Sequence, residues 1–202
     1  REQEVVHFRR EIPKYPLCFL TFSDNVANIV GESPPTQQPE LREEVVMTDD
    51  LASGIQPQGT SLRQLLEGLK PHDHLCLIFE SPQERIAAAV PFIAIGLKRG
   101  ERCTYIVDTS TADEIRGHLK EEGVDVAAAE KSGQLSILHE SKAYTRGGFF
   151  DPDAMVAFLI EETEKALAQG YPAVRVTGEM SWVLRNLPGS EKLLEYEAKL
   201  NR

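Results

Sequence analysis

The sequence predicts an α/β fold, a mostly parallel sheet in three layers with helices on both faces. Three observations predict it. From residue 61 onward, strand-like apolar runs alternate with helical stretches, the pattern that calls for a parallel sheet with crossover helices. The runs at 75–79 and 103–107 are nearly continuous in apolar residues, as strands buried on both faces are. Glycine and proline punctuate the pattern where elements must end, at Pro71, Gly100, Gly123, Gly170 and Pro172.

The elements follow in order. Residues 17–22 form one strand-like run in an otherwise irregular first sixty residues. Ser61 is placed to cap a short helix with Leu62, Leu65, Leu66 and Leu69 at helical spacing, and Pro71 stops it. A strand at 75–79 runs through an acidic turn, from Glu80 to Glu84, into an apolar helix at 85–98. After Gly100 comes a second strand, 103–107. Thr111 is placed to cap a helix through Lys120, and a short helical piece at 124–131 leads to a third strand at 134–138. A Gly-Gly loop follows. Asp151 or Asp153 then caps a long amphipathic helix with Met155, Phe158, Leu159, Thr163 and Leu167 on one face. A fourth strand at 173–177 and a last helix at 191–200 complete the pattern.

Two segments are expected: residues 1–60 as a proline-rich extension or linker, and 61–202 as the folded domain. Six of the twelve prolines lie in the first sixty residues, and 31–40 is a polar, breaker-rich stretch. Net charge is −10 and neither segment is basic, so no direct nucleic-acid contact is expected from this chain. No apolar run reaches the ~20 residues that span a bilayer, and no secretory leader is evident, so a cytoplasmic location is expected. Cys18, Cys76 and Cys103 read as reduced thiols.

The turn after the first domain strand decides much of the chemistry. In a nucleotide-binding βαβ unit it carries glycines and a lysine that hold phosphates; here it has neither, and it holds two carboxylates. Right-handed crossovers bring the strand ends to one edge, where open α/β proteins bind ligands. That edge should gather Glu80 and Ser81, Asp108 and Thr109, His139 and Glu140, and Gly178, Glu179 and Trp182. The plainer role for Glu80 and Asp108 is capping the next helix. Glu179 precedes no evident helix and is the stronger functional candidate. His72, His74 and Cys76 alternate, with the residue types of a soft-metal site, but their spacing matches no established metal motif. Trp182, Tyr105, Tyr144, Phe149 and Phe150 are candidates to line an apolar pocket. No catalytic residue, metal ion or cofactor is expected, because no nucleophile elbow, Cys-x-x-Cys or His-Glu-x-x-His motif occurs.

Taken in order, several motifs resemble one family. They are His74 to Glu80, Pro91-Phe92 with Gly96-Leu97 and Arg99-Gly100-Glu101, and Tyr105 to Asp108. Gly148 to Pro152, Arg175 to Trp182, and Leu194 with Tyr196-Glu197 complete the set. Together they resemble the MEDS domain, the sensory domain named for methanogens, methylotrophs and the regulator DcmR, over roughly residues 72–201. The resemblance implies a RecA/KaiC-like fold without a P-loop. It also implies a signal-input domain of a transcriptional or signalling protein that senses a small molecule such as a hydrocarbon or one-carbon derivative without turning it over. Expected partners are that ligand and a fused or separate output module of helix-turn-helix, histidine-kinase or anti-sigma type; a homodimer is left open. The ligand-contact set is expected to be His74, Cys76, Glu80, Tyr105, Asp108, Glu179 and Trp182. Family members continue past Asn201 with another strand, so the chain is expected to stop before the domain does. Two other readings are a protein-interaction module without a small ligand, and a metal-dependent hydrolase using Glu80, Asp108 and Glu179.

Overall fold

The computed structural model describes residues 61–71 and 73–200, together with the backbone of 17–23. The expected linker at 31–40, the Cys18 thiol and His72 lie outside the described residues. Five strands form one sheet in the order β2-β1-β5-β3-β4, with β1 at Leu17–Ser23, β2 at His74–Ile78, β3 at Arg102–Val107, β4 at Leu135–His139 and β5 at Val174–Glu179. β3 pairs in parallel with both β4 and β5. The run at 17–22 is a strand, but it wedges antiparallel between β2 and β5. β2 therefore reaches the sheet through β1 rather than beside a parallel neighbour. Since both are antiparallel to β1, β2 and β5 point the same way as β3 and β4, and their C-terminal ends share one edge.

The helices are α1 (Leu62–Gly68), α2 (Pro82–Lys98), α3 (Ala112–Glu121), α4 (Val126–Lys131), α5 (Pro152–Ala168) and α6 (Leu193–Leu200). Three hydroxyls and two carboxylates start α1 to α5, Asp125 accepting from Ala128 N at the start of α4. Ser61, Ser81 and Thr111 each accept from the backbone N–H three residues on, and Asp151 accepts from Asp153 and Ala154. Glu80 and Asp108 cap nothing; the hydroxyls of Ser81 and Thr111, one and three residues further on, take that role. The strand before α2 ends at Ile78, and the helix begins at Pro82, a residue pre-set for the first turn.

The two faces of β3 belong to different cores. Cys103, Tyr105 and Val107 pack with α2 and residues of α1, α3 and α4. Ile106 packs with α5, α6 and the 3-10 turn Ser181–Arg185. Alternation along a strand produces this split. α2 lies close on the sheet because Gly96 has no side chain: a Cβ there would stand 2.5 Å from Arg175 Cδ and 2.7 Å from Cys103 Sγ. Arg175, fully buried, pairs with Glu101 and lies 4.8 Å from the Phe92 ring centre, so its charge is compensated inside the core. Cys103 is a free thiol, and burial pushes it far up. Among the described residues, no helix is long and apolar enough to cross a membrane.

Candidate functional site

At the shared edge, β3 ends at Val107 and the chain turns through Asp108, Thr109 and Ser110 before Thr111 starts α3. Three successive backbone N–H groups point inward there. One oxygen, Glu179 Oε2, accepts from all three: Asp108 N at 3.0 Å, Thr109 N at 2.9 Å and Ser110 N at 3.1 Å. Thr109 Oγ1 donates to it as well, at 3.1 Å, and Arg85 Nη1 lies 3.3 Å away. Arg85 Nη1 also donates to Thr109 Oγ1 at 3.0 Å, and its Nη2 to Ser110 Oγ. Convergent N–H groups with a guanidinium are what proteins use to hold a phosphate. Here the protein's own carboxylate, fully buried at the end of β5, fills that cradle.

A second carboxylate pair adjoins it. Arg185, at the end of the 3-10 turn, reaches Asp108 Oδ1 at 2.6 Å and Glu140 Oε1 at 2.7 Å, while Thr145 Oγ1 donates to Glu140 Oε2. Burial pushes the Asp108 carboxyl above its ordinary range. Arg185 pulls it back down, and the charges of Glu140 and Glu179 push it up further. His139, at the end of β4, is exposed, with Nδ1 3.0 Å from Ser141 Oγ.

The other face of β5 carries an aromatic cluster. Trp182 stacks on Tyr144 at 5.6 Å between ring centres and tilts against Phe150 at 4.8 Å, and Phe150 meets Tyr196 edge-on at 5.6 Å. Tyr144 approaches so closely that a Cβ on Gly178 would lie 1.9 Å from its hydroxyl. Cys76 packs against this cluster, and His74 Nε2 lies 3.3 Å from Glu197 Oε2 of α6, both side chains largely buried. Burial holds the Glu197 carboxyl well above its ordinary value.

The expected ligand-contact residues thus divide. Glu179 and Tyr105 lie on the α2 side of the sheet, Tyr105 within the core. His74, Cys76 and Trp182 lie on the α6 side. Asp108 sits at the edge between them, and Glu80 is exposed in the turn before α2. Of the five aromatic candidates, Tyr144, Phe150 and Trp182 come together, Tyr105 is on the opposite face and Phe149 is half exposed. Arg85 and Arg185, to which the sequence reading gives no role, and Glu197, named there only within a family motif, complete the polar contacts. An arginine opening a long apolar helix was a usable sign for Arg85; for Arg185, in a loop, no sign existed. Two open grooves occur on the described surface, one by Leu138, Arg146 and Phe158 and one by Leu97, Val124 and Gln134, and neither touches the Glu179 cradle.

Fold and site together define a small α/β domain whose strand-end edge is tied by its own ion pairs rather than built around a phosphate loop. The model of the MEDS family, the methanogen/methylotroph, DcmR sensory domain, matches residues 73–202, and the chain belongs to that family. It is similar to the transcriptional repressor DcmR of Methylorubrum extorquens, with 32% identity over 132 residues, 64% of this chain and 46% of the relative. The chain thus spans about half the length of the curated relative it matches. No solved structure matches it.

Proposed function

We propose that this chain is the signal-input domain of a transcriptional regulator, binding a small organic molecule without converting it. On this reading the fold descends from the RecA/KaiC type with its phosphate loop lost. The observation that carries the proposal is the occupied cradle: three backbone N–H groups and Arg85 converge on Glu179 Oε2, leaving that grip nothing for a nucleotide phosphate. The family's sensory role and the similarity to a repressor support the rest. We assign the ligand to the α6 side, against Trp182, Tyr144, Phe150 and Cys76, with the His74–Glu197 pair as the polar element in an otherwise apolar lining. Such a lining suits a small hydrocarbon or one-carbon derivative.

Trp182 is the chain's single tryptophan, so fluorescence reports on this face alone. The test titrates the full chain with one-carbon compounds, short hydrocarbons, halocarbons and Mg-ATP, following emission and melting temperature together. A saturable change in both with a small organic molecule is expected. A saturable shift with Mg-ATP alone overturns the proposal. A second reading, a partner-docking module, is favoured by Phe149 and Leu184, apolar residues about half exposed close to the same cluster in sequence; failure of every small molecule together with stable binding of an output module would select it.

A further inference from the structure

We propose that Asp108, His139 and Glu140 form a site for a divalent first-row transition-metal ion, whose place the Arg185 guanidinium holds. The ends of β3 and β4, which the sequence places at one edge, bring one ligand atom of each residue within 4.8 Å of the others. Three ligands at ~2.0–2.2 Å from a common ion stand about 3.3–3.8 Å apart, so binding draws these atoms together by up to about 1.5 Å, a reach that side-chain rotation supplies.

Further observations favour a cation at this place. The Asp108 side chain is wholly buried, yet its Oδ2 has no hydrogen-bond partner among the described residues; Glu179 Oε1, in the fully buried carboxylate next to it, has none either. Three inaccessible carboxylates, Asp108, Glu140 and Glu179, outnumber the two guanidiniums they face, Arg85 and Arg185. The two arginines differ. Arg85 is buried under α2, whereas Arg185 is 46% exposed on its 3-10 turn and can swing into water while an ion takes its two carboxylate oxygens. Ser141 fixes the His139 ring, its backbone N–H donating to Nδ1 at 3.3 Å and its hydroxyl 3.0 Å from the same nitrogen; binding an ion through Nε2 moves the ring proton to Nδ1, which then donates to the Ser141 hydroxyl. One imidazole with two carboxylates and no thiol suits Zn²⁺, Mn²⁺ or Fe²⁺ better than Mg²⁺ or Cu⁺. The inference stands apart from the organic ligand proposed above, which lies on the other side of β5.

Calorimetric titration of the full chain with Zn²⁺, Mn²⁺ and Mg²⁺ tests it. Saturable binding of one Zn²⁺ or Mn²⁺ per chain is expected, with Mg²⁺ much weaker. His139→Ala should weaken Zn²⁺ by about tenfold or more. Arg185→Gln should tighten it, because the competing guanidinium is gone; a merely structural Arg185 would give no gain. Circular dichroism of each variant establishes that it folds. The proposal is overturned by any of three results: no saturable binding, binding unchanged in His139→Ala but lost in a His74→Ala/Cys76→Ser variant, or Arg185→Gln that binds no tighter than the parent.

Discussion

Replacing Glu179 by glutamine is the sharpest probe of the edge, because it changes charge while keeping shape. The amide oxygen can still accept from Asp108, Thr109 and Ser110, so what is lost is the negative charge that four donors and Arg85 share. Glu179 is fully buried and the Arg85 side chain is 5% exposed, so water screens neither, and Arg85 is left an uncompensated buried cation. Removing one partner of such a pair costs about 3–5 kcal/mol, and the isosteric oxygen places this variant near the lower figure. For a domain of this size, ~3 kcal/mol lowers the melting temperature by about 6–12 °C. Thermal melts and urea titrations of Glu179→Gln measure it. Adding Arg85→Met to that variant removes the stranded cation, so the double variant should cost little beyond the single, with a coupling energy of about 1 kcal/mol or more. A single variant melting within about 2 °C of the parent would refute the claim that this ion pair fastens β5 to the loop after β3.

Two further outcomes follow from the α6 side. Gly178→Ala forces a methyl to 1.9 Å from the Tyr144 hydroxyl, with ring carbons at 2.8 and 2.9 Å, so it should cost about 1–3 kcal/mol in urea unfolding. Tyr144→Phe in the same chain should recover only part of that, and a Gly178→Ala chain as stable as the parent would disprove the close approach. Glu197 behaves in the reverse of an ordinary surface carboxylate. Burial raises it above its usual 4.5, so the fold keeps the proton after the unfolded chain has released it. Stability should therefore fall as pH climbs from about 4.5 towards the folded value, and Glu197→Gln should flatten that slope. Urea midpoints for parent and variant over this range check it; parallel curves would show that Glu197 titrates normally.

What sequence reading reached, and what it missed, has a physical pattern. β3 and α5 were legible because apolar runs and helical periodicity are local properties of the chain, and the caps at Ser61, Thr111 and Asp151 follow local hydrogen-bond chemistry. The gathering of Asp108, His139, Glu140 and Glu179 at one edge followed from strand direction alone. The contacts between them did not. Glu179 meets Ser110, 69 residues away, and Arg185 meets Asp108 across 77; no local rule selects these partners from the 54 charged side chains of the chain. The split of Tyr105 from Trp182 was legible in principle, since Tyr105 alternates with Ile106 and only one of them can face the aromatic cluster. The position of β1 was not, because nothing in an apolar run of seven residues states which edges it will bridge.

That bridging has a consequence for how the domain assembles. In the described sheet β2 is bonded to β1 and to no other strand, and β1 lies some fifty residues upstream of it. The parallel trio β4-β3-β5 with its helices closes over much shorter reaches between β3 and β4, whereas β2 docks only once a distant segment has returned to lie along β5. Late, long-range closure of this kind makes one flank of a sheet a separate unit of opening. In this chain that flank carries His74 and Cys76, so the side chains assigned here to the ligand ride on the part of the sheet whose bonded neighbour is the most distant consecutive strand in sequence.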